Sequence, residues 1–279
     1  MLIRLGYDME FETSADVPMV TLLKVHPSRE RDLREPDELR TDPFVPVENF
    51  LDRFGNRGSR LVAPTGRIRL YNLTLVEDSG QPDPQASDAR EIPVDHLPVE
   101  VLPYLMNSRY CEVDLMSSAA LELFGQTPRG WARVQAVCDW VQSKVTFGYK
   151  NASSFRTALG VYTERVGVCR DFQHLAITFC RALNIPARYA TGYLGDIGIP
   201  PAPFPMDFSA WFEVYLEDRW WTFDARHNTP RIGRVLMATG LDATDCAITT
   251  SFGTAALRSF DVVSEEVKSL EQAAGQSAH

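Results

Sequence analysis

Near residue 105 the spacing of apolar side chains changes from every second residue to every third or fourth, which commits the chain to sheet first and helix afterwards. Before the change, Ile3, Leu5, Tyr7, Met9 and Phe11 alternate with Arg4, Gly6, Asp8, Glu10 and Glu12, the period of a strand with one buried face. Met19 to Val25, Leu61 to Ala63 and Arg67 to Val76 add strand-like runs. In the last of these Ile68 and Leu70 share one parity and Leu73 and Leu75 the other, which predicts a bulge or a bend. Ser28 to Asp42 mixes charges of both signs and reads as a solvated loop. Glu77 to Asp95, rich in Asp, Pro, Gly and Ser, reads as an interdomain linker.

After the change, Thr127 and Pro128 form an expected N-cap and first turn, and Trp131, Val134, Cys138, Val141 and Val145 follow at helical spacing. Shorter helices are expected at about Asp114 to Phe124 and after Ser153 and Ser154. Phe172, Leu175, Ala176, Phe179 and Leu183 make one apolar stripe of a helix that starts near Cys169 and stops at Asn184 and Pro186. Ala187 to Leu194 reads as a strand, Gly195 to Pro205 as a loop, and Ala210 to Leu216 with Arg219 to Phe223 as a hairpin. The order predicts an α+β protein: a β-rich domain over 1–104 with its linker, a helix-and-hairpin core over 105–230, and over 231–279 further strands that rejoin one of them, then a tail.

Composition excludes several function classes. Lys and Arg number 28 against 37 Asp and Glu, a net charge of −9, the wrong sign for a nucleic-acid binder. No apolar run reaches the roughly 18 residues of a membrane span, and no export signal is expected at the amino terminus. Cys111, Cys138, Cys169, Cys180 and Cys246 are odd in number and contain no C-x-x-C, which argues against a disulfide framework or a zinc cluster and for reduced thiols in the cytoplasm. No calcium loop is present, so neither metal nor cofactor is expected.

One cysteine has a distinctive position. A thiol in the first turn of a helix faces unpaired N–H groups and the positive end of the helix dipole, which favour thiolate, and Arg170 adds positive potential to Cys169. The other four cysteines read as small core fillers. The stretch Arg165-Val166-Gly167-Val168-Cys169-Arg170-Asp171-Phe172, with Ile185 to Tyr193 after it, resembles the nucleophile segment of bacterial transglutaminase-like proteins. Ala210-Trp211-Phe212-Glu213-Val214-Tyr215 and Trp220-Trp221-Thr222-Phe223-Asp224-Ala225-Arg226-His227-Asn228 resemble the rest of that family's site, and Asp52 to Asn56 is similar to a turn of the β domain that often precedes it.

The resemblance implies a papain-like core, with a nucleophile helix packed on an antiparallel sheet, that cleaves or transfers peptide and protein amides through a thioester on Cys169. Cys169 and Asp224 match the family's cysteine and aspartate; the position of its histidine holds Ser209. If Leu216 faces Arg219 across the hairpin turn, Trp211 opposes Asp224 and residue 209 lies diagonally from that carboxylate. Serine accepts no proton near neutral pH, and losing the central base of such a triad costs on the order of 10⁴ to 10⁶ in turnover. His174 lies roughly 140° round the helix from Cys169 and is expected to point elsewhere. His227 is the candidate substitute base: it falls on the wrong face if the strand continues, and reaches inward only if the chain turns after Asp224. Tyr149 could assist an oxyanion and Trp211 could line a groove, with core packing the alternative for both. The rival to an impaired enzyme is a non-catalytic descendant that binds a peptide or partner.

Overall fold

The alternation at the amino terminus becomes β1 (Leu2–Thr13), an inner strand of a four-stranded sheet. We describe residues 1–203 and 205–267 from a computed structural model; the predicted tail from 268 onward lies outside the described residues. After β1 come β2 (Val17–Thr21), β3 (Arg40–Asp42), β4 (Glu48–Leu51), β5 (Arg57–Ala63) and β6 (Gly66–Glu77). The odd residues of β1, the even residues of β6 and the inward faces of β2 and β5 meet in one apolar core.

The bulge expected in β6 is absent. Its register against β1 runs unbroken from Leu2↔Glu77 to Thr13↔Gly66. Even positions stay on the core face throughout, two of them polar: Asn72 donates to Asp37 at 2.7 Å and Thr74 to the Glu35 carbonyl at 2.9 Å. The apparent change of parity arose because those partners let polar residues sit where apolar ones were expected.

Past residue 105 the helices α1 (Val113–Phe124) and α2 (Trp131–Lys144) precede a short strand, β7 (Thr146–Phe147). Then follow α3 (Ala158–Glu164), β8 (Val166–Gly167) and α4 (Cys169–Ala182). The predicted cap at Thr127 is displaced. The helix begins at Trp131 behind Gly130, whose φ is 86° and where an added Cβ would meet the Ala89 carbonyl oxygen at 2.3 Å. Its first N–H groups go to Glu91 at 2.9 Å (from Gly130) and to Ala89 at 2.9 Å (from Trp131). The segment read as a linker is therefore docked, and it caps α2 in place of a local side chain.

β9 (Ala187–Leu194), β10 (Ser209–Leu216), β11 (Arg219–Phe223) and β12 (Arg234–Gly240) form a sheet in the order β11-β10-β9-β12. One face receives α4. The other gives Tyr193, Val235 and Met237 to the core of the amino-terminal sheets. The carboxy-terminal segment divides: β12 stays with this sheet, while β13 (Thr249–Ser251) pairs with β2 and β14 (Ala255–Val267) with β1. The strands that follow residue 230 thus tie both halves together.

Candidate active site

Cys169 is the first residue of α4. The backbone N–H of Val168 donates to the Asp171 carboxylate at 2.9 Å, an acidic cap on the helix start. Asp171 is fully buried and salt-bridged to Arg170 at 3.0 Å and to Arg156 at 3.6 Å. The strand entering the helix is held by β7, where Phe147 pairs with Gly167. The sequence stripe underestimates the helix: every residue from Asp171 to Arg181 is buried, polar ones included. His174 stacks on Tyr110 at 4.9 Å, packs against Tyr189 at 5.2 Å and accepts from the Ala243 N–H at 3.1 Å. Burial pushes its imidazole down to about 3, so it stays neutral.

Gln173, one helical turn beyond Cys169, joins the helix to the hairpin. Its amide donates to the Ala210 carbonyl at 3.2 Å and to Asp224 at 3.1 Å, and accepts from the Ala225 N–H at 3.1 Å. The hairpin register is the predicted one, Leu216↔Arg219 through Phe212↔Phe223, closed by Glu217 and Asp218 at φ 47° and 63°. Ser209 opens β10 opposite Gly192 and is buried.

β11 ends at Phe223, and the chain turns at once: the Asn228 N–H donates to the Asp224 carbonyl at 2.8 Å. The turn carries His227 back, so that its Nδ1 lies 2.9 Å from Asp224 Oδ2. Asp224 also accepts from the N–H groups of Arg226 at 3.0 Å and His227 at 3.1 Å, and from Arg234 Nη2 at 3.0 Å. Burial alone would raise this carboxyl; the His227 imidazole and the Arg234 guanidinium outweigh it and hold the group well below the usual carboxylate range. Arg234 in turn is gripped by Asp83, at 3.0 and 3.2 Å from Nε, and Asp83 belongs to the segment read as a linker.

The thiol differs from its expectation. Cys169 is partly exposed, yet desolvation of its sulfur is the largest influence and with Asp207 raises the thiol above its ordinary value, against the lowering effects of Arg226 and of the backbone at Ala210 and Arg170. Arg226 and Asp207, which act electrostatically on the thiol, line a cavity together with Ser209, His227 and Tyr149. Tyr149 packs edge-on against Phe147 at 5.3 Å. Trp211 is buried under Arg234, 5.0 Å from ring to guanidinium, and faces a separate depression shared with Asp83 and Glu213. The sequence reading missed Gln173, Arg226, Arg234, Asp207 and Asp83. Helical spacing from Cys169 could have found Gln173; nothing in the sequence distinguishes Asp83 from its loop neighbours.

Residues 118–225 match the transglutaminase-like superfamily model. A curated but uncharacterised protein of Mycobacterium leprae is 26% identical over 117 residues, a stretch that spans 41% of this chain and 42% of that protein. The crystal structure of a candidate cysteine protease from Cytophaga hutchinsonii superposes with a TM-score of 0.83 at 30% identity, covering 96% of this chain and 91% of that one. The chain belongs to the transglutaminase-like superfamily. The likeness to the Cytophaga protein extends over the amino-terminal sheets as well as the transglutaminase-like core. Among the described residues no helix is long and apolar enough to cross a membrane and no cluster of potential metal ligands occurs.

Proposed function

We propose that this transglutaminase-like protein is a cysteine hydrolase or acyltransferase of reduced efficiency, acting on amide or peptide bonds through a thioester on Cys169, with His227 in place of a histidine at 209. The observation that carries the reading is the 2.9 Å contact of His227 Nδ1 with Asp224, on the wall of the cavity that Ser209 also lines. A carboxylate on Nδ1 fixes the tautomer that leaves Nε2 free to accept a proton. The thiol proton would pass to Nε2 as sulfur attacks the substrate carbonyl. The same proton would then leave with the amine, and water or a second amine would take the acyl group from sulfur. The backbone N–H of Cys169, with Tyr149, is suited to the oxyanion. Five unpaired thiols support a reducing compartment such as the cytoplasm.

A second reading, a peptide- or partner-binding descendant, is favoured by the burial that raises the Cys169 thiol. A panel of activated esters and peptide amides separates the two. The catalytic reading expects an acyl adduct on Cys169 by intact-protein mass spectrometry, lost in Cys169→Ala and slowed about 10²-fold or more in His227→Gln, the usual weight of a general base. Peptide binding without any adduct would favour the second reading.

A further inference from the structure

Arg226 precedes His227 on the turn after β11, and its guanidinium lies 3.8 Å from the centre of the Phe147 ring. Phe147 pairs with Gly167, two residues ahead of Cys169, so this aromatic platform holds a cation at the entry to α4. The neighbouring arginines are committed elsewhere: Arg170 to Asp171 at 3.0 Å, Arg231 to Asp196 at 3.7 Å, Arg234 to Asp83 and Asp224 at 3.0 Å each. Arg226 forms no salt bridge among the described residues, and it faces the cavity beside Ser209.

In a thiol–imidazole pair the histidine does two things: it takes the proton, and it then stands as a positive charge next to the sulfur. Serine at 209 does neither. A guanidinium does not give up its proton in proteins, so it can supply only the second part, at every working pH. We propose that Arg226 is the standing positive charge for the Cys169 thiolate, so that charge and proton acceptance, joined in one histidine elsewhere, are divided between two consecutive residues of one turn. This rests on the reading of Cys169 as the nucleophile.

Other groups act on the same sulfur. Asp207, ahead of β10, opposes the thiolate, and burial raises its own carboxyl. Tyr149 and, from β9, Tyr189 face it as phenols held above their ordinary value, neutral near pH 7. Arg170 and Asp171 are on the helix itself and neutralise one another. Arg226 also acts on the Asp207 carboxylate, and of these two opposing charges it has the larger influence on the sulfur.

The test is the rate of Cys169 alkylation by iodoacetamide across pH 5 to 10 in the full chain, read by peptide mass spectrometry, with buried Cys138 and Cys180 as internal controls. The thiol proton goes to solvent, the thiolate forms the S–C bond, and iodide leaves. Arg226→Gln is expected to raise the apparent thiol pKa by about one unit, a rate about tenfold lower at pH 7, with Arg226→Lys within about twofold of the parent. Phe147→Leu, which withdraws the platform and leaves the charge, is expected to move the profile the same way by less, and it decides the matter if Arg226→Gln does not fold. Profiles of Arg226→Gln or, failing that, Phe147→Leu that superpose on the parent would overturn the role of Arg226 and leave Cys169 as nucleophile. A parent Cys169 no more reactive than Cys180 would overturn both.

Discussion

The two ends of the site are built to different standards. Asp224 is enclosed and accepts hydrogen bonds on both oxygens from Gln173, Arg234, His227 and the backbone of its own turn. Cys169, at the other end, has no imidazole at position 209, and burial raises its thiol. The difference separates two reasons for a residue to be present. A buried carboxylate with that many donors holds the helix, hairpin and turn together whether or not any bond is ever cleaved, so its presence alone says little about catalysis. A thiol at a helix start contributes little to the fold that alanine could not.

The contrast is broken most forcefully at Asp224. Asp224→Ala leaves the Arg234 guanidinium without one of its carboxylates and strands the Gln173 amide, so a loss of about 3–5 kcal/mol in urea unfolding is expected. Cys169→Ala is expected to cost about 1 kcal/mol or less. Equal and small effects at both positions would refute the structural role given to the carboxylate. The same group has a pH signature. Its pKa is lower folded than unfolded, so its contribution is complete above about pH 4, the unfolded value, and is lost as pH falls further toward the folded one. Thermal melts of Asp224→Asn should therefore be flatter than the parent's between about pH 4 and 2.

Ser209→His sharpens the comparison from the other end. An imidazole introduced at the start of β10 should raise amide or ester turnover by at least about 10², or about 2.7 kcal/mol of barrier, provided Cys169 is intact. A folded Ser209→His that turns over no faster would mean that the thiol, and not the side chain at 209, limits the site. Its combination with His227→Gln tells whether two imidazoles compete for one carboxylate: a further gain identifies His227 as an obstacle, a loss as a partner.

Much of this was legible because it depends on local periodicity. Alternation marked β1, and helical spacing placed the start of α4 at Cys169; the residues closing the β10–β11 turn set the register from Leu216↔Arg219 to Phe212↔Phe223. What escaped was set by long-range polar satisfaction. Asn72 and Thr74 keep the parity of β6 only because Asp37 and the Glu35 carbonyl receive them. His227 reaches Asp224 only because β11 stops at Phe223, and the Asn228 side chain anchors that turn to Asp139 at 2.7 Å. Such partners lie many residues apart and leave no periodic trace.

The segment between the sheets and the helices is where the smallest effect is expected and the comparison is most delicate. Asp83 grips Arg234 by side chain, and it exchanges hydrogen bonds at 2.9 Å with the backbone of Arg231. Asp83→Asn removes the charge but keeps an acceptor, so a loss of only about 1–2 kcal/mol is expected. Asp83 and Asp224 share Arg234, so their effects should not add: once either carboxylate is gone, the guanidinium leans wholly on the other. Urea unfolding of Asp83→Asn, Asp224→Asn and the double variant should give a coupling of about 0.5–3 kcal/mol. Strict additivity would mean that Arg234 is held by its backbone and by Trp211 rather than by its two carboxylates, and that Asp83 stabilises the docked segment without reaching the site. A clear coupling would mean that the strap from the amino-terminal sheets helps hold the carboxylate end of the site, while the sulfur end depends on the turn that carries Arg226 and His227.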